Sequence, residues 1–315
     1  MTTNPPFEMR VREWLVKYEH TMQKNGLYSS ATNWIALGIG SALIGGITAF
    51  VVFSFLGLDS PALLGIVSLL CILDIVIGYP LALDLKRVSL IEEAFPNVLK
   101  QLSDTLKAGG TYEFALRELS ESDYGPLTEE LKLVLRRIEE GENLDRSLEL
   151  MKTEIDSRLV QRTLTIIIDA LKSGGGLSEV LEDIANDMRE LRRIQLERKS
   201  KTTLQTLFLI TAGALVGPAI LAFSTSIIEF LITTSAGTGA VSEAKIVSAI
   251  QIKQLIVFLL TGFIVIETIA ASILISLMRE GKAKKSIIYM PMLMFTALLV
   301  FYVTRILTRV ILGGI

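Results

Sequence analysis

Five uninterrupted apolar runs restrict this chain to one kind of fold. They cover residues 34–56, 62–83, 204–232, 255–278 and 287–311, each near or above the roughly 20 residues a helix needs to cross hydrocarbon. Backbone polar groups inside a bilayer must be satisfied within the segment, so runs of this length read as helices. With 50% of 315 residues hydrophobic, the chain reads as an integral membrane protein. The run at 62–83 counts as a span although it contains Asp74. A cleaved signal peptide is not expected, because the first run is too long and follows about thirty mixed-charge residues.

Residues 84–203 break this pattern with a polar, charge-dense block, in which a helix-Gly-helix phrase returns three times. It reads Lys107-Ala108-Gly109-Gly110-Thr111, then Glu140-Gly141-Glu142-Asn143, then Ser173-Gly174-Gly175-Gly176. The spacing is 32 and then 33 residues, and Leu116, Leu148 and Leu181 follow at one offset. A period of this length marks repeated helix pairs that bury their apolar faces only by stacking. Gly109, Gly141 and Gly174 are expected to cap helices in the left-handed conformation, and Gly176 is the weaker third of the caps that start the next helices. Thr111 and Asn143 are expected to start the next helices by accepting a backbone N–H. The expected helices are 96–108, 111–121, 126–140, 143–154, 157–173, and one from 177 into the third span.

Lys and Arg placement sets the orientation. The stretch before the first span carries Arg10, Arg12, Lys17 and Lys24, and the loop after the fourth carries Arg279, Lys282, Lys284 and Lys285. By the positive-inside rule these and the central block lie in the cytoplasm, with the N-terminus inside and the C-terminus outside. Arg305 and Arg309 dissent, and are read as snorkelling to headgroups at the outer end of the fifth span. The basic run Arg189, Arg192, Arg193, Arg198, Lys199 and Lys201 reads as a topology signal and an anchor to anionic lipid. No aromatic or Gly-rich reading surface accompanies it, so nucleic acid is not an expected partner. Glu129, Glu130, Glu139, Glu140 and Glu142 form an acidic cluster far from that run, available to a basic cytosolic partner.

The residues for catalysis are sparse. One histidine, His20, and one cysteine, Cys71, cannot make a zinc site, a thiol–base pair or an intrachain disulfide. Neither glycine-rich stretch, 173–178 or 237–240, has the lysine of a phosphate loop. No catalytic residue, metal or cofactor is expected, so any ATP energy must come from another protein.

The N-terminal stretch starts a helix at Asn4-Pro5-Pro6 and places Phe7, Val11, Trp14, Leu15, Tyr18 and Met22 on one face, as an interfacial helix on the inner leaflet would. Asp74 and Glu267 fall near the middle of their spans, where a carboxylate is a functional-site candidate by default. The plainer reading makes them packing glue, with Glu267 bonded to a hydroxyl such as Thr261 or Thr268. Gly213 and Gly217 form a small-xxx-small face before a kink at Pro218, suited to packing or to a partner helix.

These residues carry a resemblance. Phe95-Pro96-Asn97-Val98-Leu99-Lys100-Gln101-Leu102 ending at Ala108-Gly109, the repeated glycine turns, and a charged helix from Leu177 into a span with Gly217-Pro218 resemble the cytoplasmic module of the type II secretion F family. Its members are inner-membrane platforms of type II secretion, type IV pilus and related archaeal systems, and the resemblance covers residues 84–232. One module preceded by two spans is similar to the tight-adherence (Tad) pilus platforms, which work as paired sister proteins; the fifth span departs from that pattern. The resemblance implies a platform coupling a hexameric secretion ATPase to pilin subunits, alongside a second platform chain. Glu139, Glu140 and Glu142 would face the ATPase, while Asp74, Glu267, Gly213 and Gly217 would meet pilin or the second chain.

The expected fold is therefore an all-α polytopic membrane protein with a cytoplasmic six-helix bundle between transmembrane helices 2 and 3. Its parts are an amphipathic segment at 1–32, two spans at 33–83, the bundle at 84–203 and three spans at 204–315. The competing class is a multispan transporter or channel using intramembrane carboxylates. That class predicts repeats among the spans and discontinuous helices at mid-membrane, and the Gly217-Pro218 interruption is the one feature of that kind.

Overall fold

A computed structural model describes residues 18–19, 22–23, 30–55, 61–173, 176–237, 243–281 and 283–313. All regular structure among them is helical. The main helices are α1 (Ala31–Phe55), α2 (Pro61–Lys107), α3 (Tyr112–Glu121), α4 (Pro126–Glu139), α5 (Leu144–Glu154), α6 (Arg158–Ser173), α7 (Leu177–Lys201), α8 (Thr203–Ile210), α9 (Gly217–Gly237), α10 (Glu243–Glu280) and α11 (Ser286–Gly313). A π-helix, Thr211–Val216, joins α8 to α9. Among the described residues, five stretches are long and apolar enough to cross a membrane: Ala31–Phe55, Pro61–Lys107, Thr203–Ser235, Gln251–Arg279 and Ser286–Ile311. The chain divides into two compact units, Met1–Ala82 with Lys199–Ile315, and Leu83–Arg198.

The second unit is a bundle around one apolar core. Ile91, Phe95, Val98 and Leu99 of α2 meet Leu116 and Leu119 of α3, Leu127, Leu131 and Val134 of α4, and Leu164, Leu181 and Met188 further on. Short connections make successive helices antiparallel neighbours, α3 on α4, α4 on α5 and α5 on α6. The turns after α2 and α4 therefore lie at one end of the bundle, opposite the end where the chain enters and leaves it.

The caps explain the boundaries. Gly109 has φ +86° and Gly141 φ +94°. In both turns the glycine N–H bonds the carbonyl three residues back, and the next N–H bonds the carbonyl five residues back: Gly109 to Leu106 and Gly110 to Thr105, Gly141 to Ile138 and Glu142 to Arg137. This is the Schellman arrangement twice over, with a Gly at its left-handed position each time. Thr111 Oγ1 accepts from Phe114 N at 3.2 Å and starts α3. Asn143 takes the equivalent place before α5 with extended backbone, but its side chain makes no cap bond. Gly174 and Gly175 lie outside the described residues.

An added Cβ at Gly109 meets nothing within 4 Å, so a substitution there is opposed by backbone conformation and not by space. Gly109→Val should lower the stability of the bundle by about 1–2 kcal/mol, the cost of a branched L-residue in the left-handed region. Urea unfolding of residues 84–203 reads this directly, and an unchanged midpoint would show that the turn relaxes.

One expected boundary is absent. Pro96 does not begin a helix, because α2 runs unbroken from Pro61 to Lys107. Ile91 and Phe95 on one side of the proline and Val98 and Leu99 on the other all enter the core, and their burial holds the helix through the missing N–H.

In the first unit, α1 and α2 approach through glycine. A Cβ on Gly46 would sit 3.1 Å from the Gly65 carbonyl, and one on Gly65 would sit 3.1 Å from the Gly46 carbonyl. Helix backbones come this close in lipid only over small residues. A second apolar cluster joins Ala214, Ala222, Ile264, Ile275, Leu293, Ala297 and Phe301 from the π-helix, α9, α10 and α11. The opposite faces of α9, α10 and α11 leave Ile220, Ile266, Phe295 and Val310 exposed, as lipid-facing surfaces do. Tyr18 and Met22 do not lie on an open amphipathic face: both are buried, packed with Ala31, Trp34, Ile35 and Leu81. The rest of that sequence face, Phe7 to Leu15, and His20 lie outside the described residues.

Candidate functional site

The acidic turn between α4 and α5 sits at the glycine-turn end of the bundle. Glu139 and Glu140 are exposed there. Glu139 pairs with Arg117 at 2.9 Å, and Glu142 approaches Arg146 at 3.9 Å one turn along α5. Both Arg117 and Glu139 are more than half exposed, so the pair contributes little stability. Phe114, one turn before Arg117 on the same helix, is 62% exposed. The turn therefore combines carboxylates with an aromatic ring that has no place in the bundle core. Glu130 does not belong to this surface. It is buried, and accepts from Arg87 Nη2 at 3.0 Å.

Polar bonds tie the first and last helices of the bundle together. Lys100 Nζ meets Glu182 Oε1 at 2.6 Å, Lys107 meets the other oxygen, and Ser103 Oγ donates to the Ser178 carbonyl at 2.6 Å. Further along, Arg189 reaches Asn97 at 3.3 Å and Arg192 reaches Glu93 at 2.7 Å. The hydrogen bonds from Lys100 and Lys107 hold the Glu182 carboxyl down to about 2. Arg189 and Arg192 thus reach across to α2, which corrects their reading as lipid anchors, while Arg193 pairs with Glu197 on its own helix.

Among the spans, Gly213, Gly217 and Glu267 come together. A Cβ added to Gly213 would sit 3.7 Å from the Ala271 Cβ of α10, and one added to Gly217 would sit 3.4 Å from Oε1 of Glu267 on the same helix. Pro218 accounts for the widened turn before it: with no N–H of its own and a ring that crowds the preceding turn, it favours the π-type bond from Gly217 N to Ala212 O. The small-residue face is thus packed on its own chain. Thr261 and Thr268 turn their hydroxyls back to their own helix carbonyls, and Glu267 Oε2 is buried without a hydrogen-bond partner. Asp74 lies on α2, its Oδ2 also buried without one.

A cluster that sequence reasoning did not find joins α9, α10 and α11. Glu229 Oε1 pairs with Lys253 Nζ at 3.0 Å. Its Oε2 accepts from Arg309 Nη2 at 3.0 Å and Nε at 3.2 Å, and from Arg305 Nη2 at 3.4 Å. Arg305 is 2% exposed, so it does not snorkel to headgroups; it is held inside the helix group by this carboxylate. A single acid near the end of an apolar run gives little local signal when its partners lie far along the chain.

Comparison with known proteins bears on the bundle first. Residues 98–225 match the family described as Type II secretion system (T2SS), protein F. The chain is also 24% identical over 233 residues to flagella accessory protein J of Methanocaldococcus jannaschii. That match covers 72% of this chain and 41% of that protein, so the chain spans less than half of the relative's length. No solved structure matches.

Proposed function

We propose that this chain, whose residues 98–225 match the family described as Type II secretion system (T2SS), protein F, is the inner-membrane platform of a pilus-like or secretion machine, coupling a cytosolic hexameric ATPase to pilin subunits. The observation that carries the reading is the family match over a helical bundle whose glycine turns gather at one end, in a chain with five apolar helices long enough to span a membrane. On this reading the chain is a structural coupler and not an enzyme. The basic loops and the bundle lie on the cytoplasmic side, with the N-terminus inside and the C-terminus outside. The acidic turn at Glu139, Glu140 and Glu142 faces the ATPase, with Phe114 as an apolar anchor beside it. Asp74, on the second span, is a candidate contact for pilin or for a second platform chain, since a carboxyl in a span is a functional candidate by default.

Reversing Glu139, Glu140 and Glu142 to Lys should weaken capture of the ATPase from a reconstituted mixture. Residual binding should become less sensitive to salt, because attraction between opposite charges is what salt screens. Stability should change by about half a kcal/mol or less per site, as for other surface positions. Filament assembly or secretion should then fall at normal protein level. Unchanged binding and assembly would make the turn a solvated face and move the search for the partner surface to residues 157–197.

A further inference from the structure

Three acceptor oxygens crowd one point among the spans. A Cβ added to Gly217 would stand 3.0 Å from the Ala212 carbonyl oxygen, 3.4 Å from Glu267 Oε1 and 3.7 Å from Glu267 Oε2. The Ala212 carbonyl lies there because the π-turn brings it the Gly217 N–H from five residues on. Position 218 is proline and has no N–H, so the Gly213 carbonyl keeps neither its α-helical donor nor its π-helical one. Pro80 takes a donor from α2 in the same way, but there the Trp34 indole donates to the Val76 carbonyl, four residues back, at 3.0 Å. What lies against the break at Pro218 is an acceptor instead, for Glu267 Oε2 is buried without a hydrogen-bond partner. Gly217 and Glu267 both sit near the middle of stretches long enough to span, Thr203–Ser235 and Gln251–Arg279.

No opposite charge is close on the helices packed around this point. On α10 the nearest charged residues, Lys253 and Arg279, are 14 and 12 residues from Glu267, about 18 Å or more along the helix. The stretch Thr203–Val216 has no charged residue, and the first on α9 is Glu229. On α11 the charges begin at Arg305, which with Arg309 is drawn to Glu229, and the other titratable groups are the phenols of Tyr289 and Tyr302. The second acid within the spans, Asp74, belongs to α2. A carboxyl buried in hydrocarbon with neither a cation nor a donor takes up a proton, since the charged form costs far more to bury.

We infer that Glu267 is a proton-binding site in the middle of the spans, and that its carboxylic O–H is the donor for the π-turn carbonyls that Pro218 leaves open. The bound proton turns facing acceptors into a hydrogen-bonded pair and ties α10 to the turn between α8 and α9. Loss of the proton sets a carboxylate against carbonyl oxygens, so α10 and the π-turn separate. Glycine at 217 belongs to the same device, because a methyl group would fill the space in which the acid and the carbonyl meet. The inference uses the spans alone and stands apart from the platform reading.

The test uses the full chain in lipid nanodiscs and dicyclohexylcarbodiimide, an apolar reagent that modifies carboxylic acids within membranes but not ionised carboxylates. Mass spectrometry of the digested protein separates Glu267 from Asp74. At neutral pH Glu267 should be modified, and the rate should fall about tenfold per pH unit once the medium is alkaline enough to ionise the acid. The infrared stretch of a protonated carboxyl, present in the parent and missing in Glu267→Gln, reads the same state without a reagent. Glu267→Gln keeps a neutral donor and should hold Tm within a few degrees of the parent. Absence of both the modification and the infrared band at neutral pH would show an ionised carboxylate and overturn the inference. Protection of Glu267 by sodium ions at constant pH would also overturn it, by making the bound cation a metal ion. So would a Glu267→Gln chain that no longer folds, because a neutral donor would then not be enough.

Discussion

Glu229→Gln should be among the most damaging single changes in the spans, lowering the stability of the full chain in mixed micelles by about 3–5 kcal/mol, the usual cost of removing one partner from a buried charge pair. The reason lies in what remains. Lys253, Arg305 and Arg309 all converge on this carboxylate, and Arg305 is almost fully buried, so its charge stays in the low-dielectric interior when the acid goes. Arg309, 37% exposed on its side chain, can turn towards headgroups and should tolerate Arg309→Gln with a much smaller loss. Paired replacement of Glu229 and Arg305 by Leu should recover only the part of the deficit due to the Arg305 charge, because Lys253, 15% exposed on its side chain, still loses this carboxylate. Denaturation of all the variants by SDS in mixed micelles would order them. A Glu229→Gln protein as stable as the parent would mean that other groups compensate Arg305.

Within the bundle, Arg87→Ala should be comparably severe, again about 3–5 kcal/mol. Glu130 has a side chain only 5% exposed and meets Arg87 at 3.0 Å. Glu129 also reaches Arg87, at 3.9 Å, but is 76% exposed and cannot draw the guanidinium inward in the same way. Residues 84–203 expressed alone should be soluble and helical, since their apolar core is formed from their own helices. Urea unfolding of that segment should show a large drop in midpoint for Arg87→Ala and a smaller one for the double change Arg87→Met with Glu130→Leu. If the single variant costs less than about 1 kcal/mol, the surface reading of Glu130 returns.

What could be read from the sequence and what could not separate by range. Apolar runs as long as a bilayer is thick are local and continuous, so the five spans were visible without a structure. So were the helix ends where Gly, Thr or Pro sits at a turn, as at Gly109-Gly110-Thr111 and Gly125-Pro126, because caps are decided by a few adjacent residues. Pro96 misled for the same local reason: proline is welcome at a helix start, and only the core contacts on both sides of it show that the helix continues. Glu229 with Arg305, Trp34 with Val76 and Arg87 with Glu130 are separated by 76, 42 and 43 residues. None of these pairs has a spacing that a periodic pattern could reveal. For the acidic turn, sequence placed the charges, but Phe114 beside them stands out only once its ring is found outside the core.

The close glycine contact between α1 and α2 also dictates an order of biogenesis. Gly46 and Gly65 let the two backbones touch through a contact that needs nothing later in the chain. Both helices leave the ribosome before the bundle is complete, and chains fold from the N-terminus during synthesis. The first two spans can therefore enter the bilayer as a finished hairpin, with Trp34 already on Val76, while the remaining three spans are still to be made. The charge-bearing helices α9, α10 and α11 come last, and Glu229 must wait for Arg305 and Arg309 near the end of translation before its charge is matched from that side.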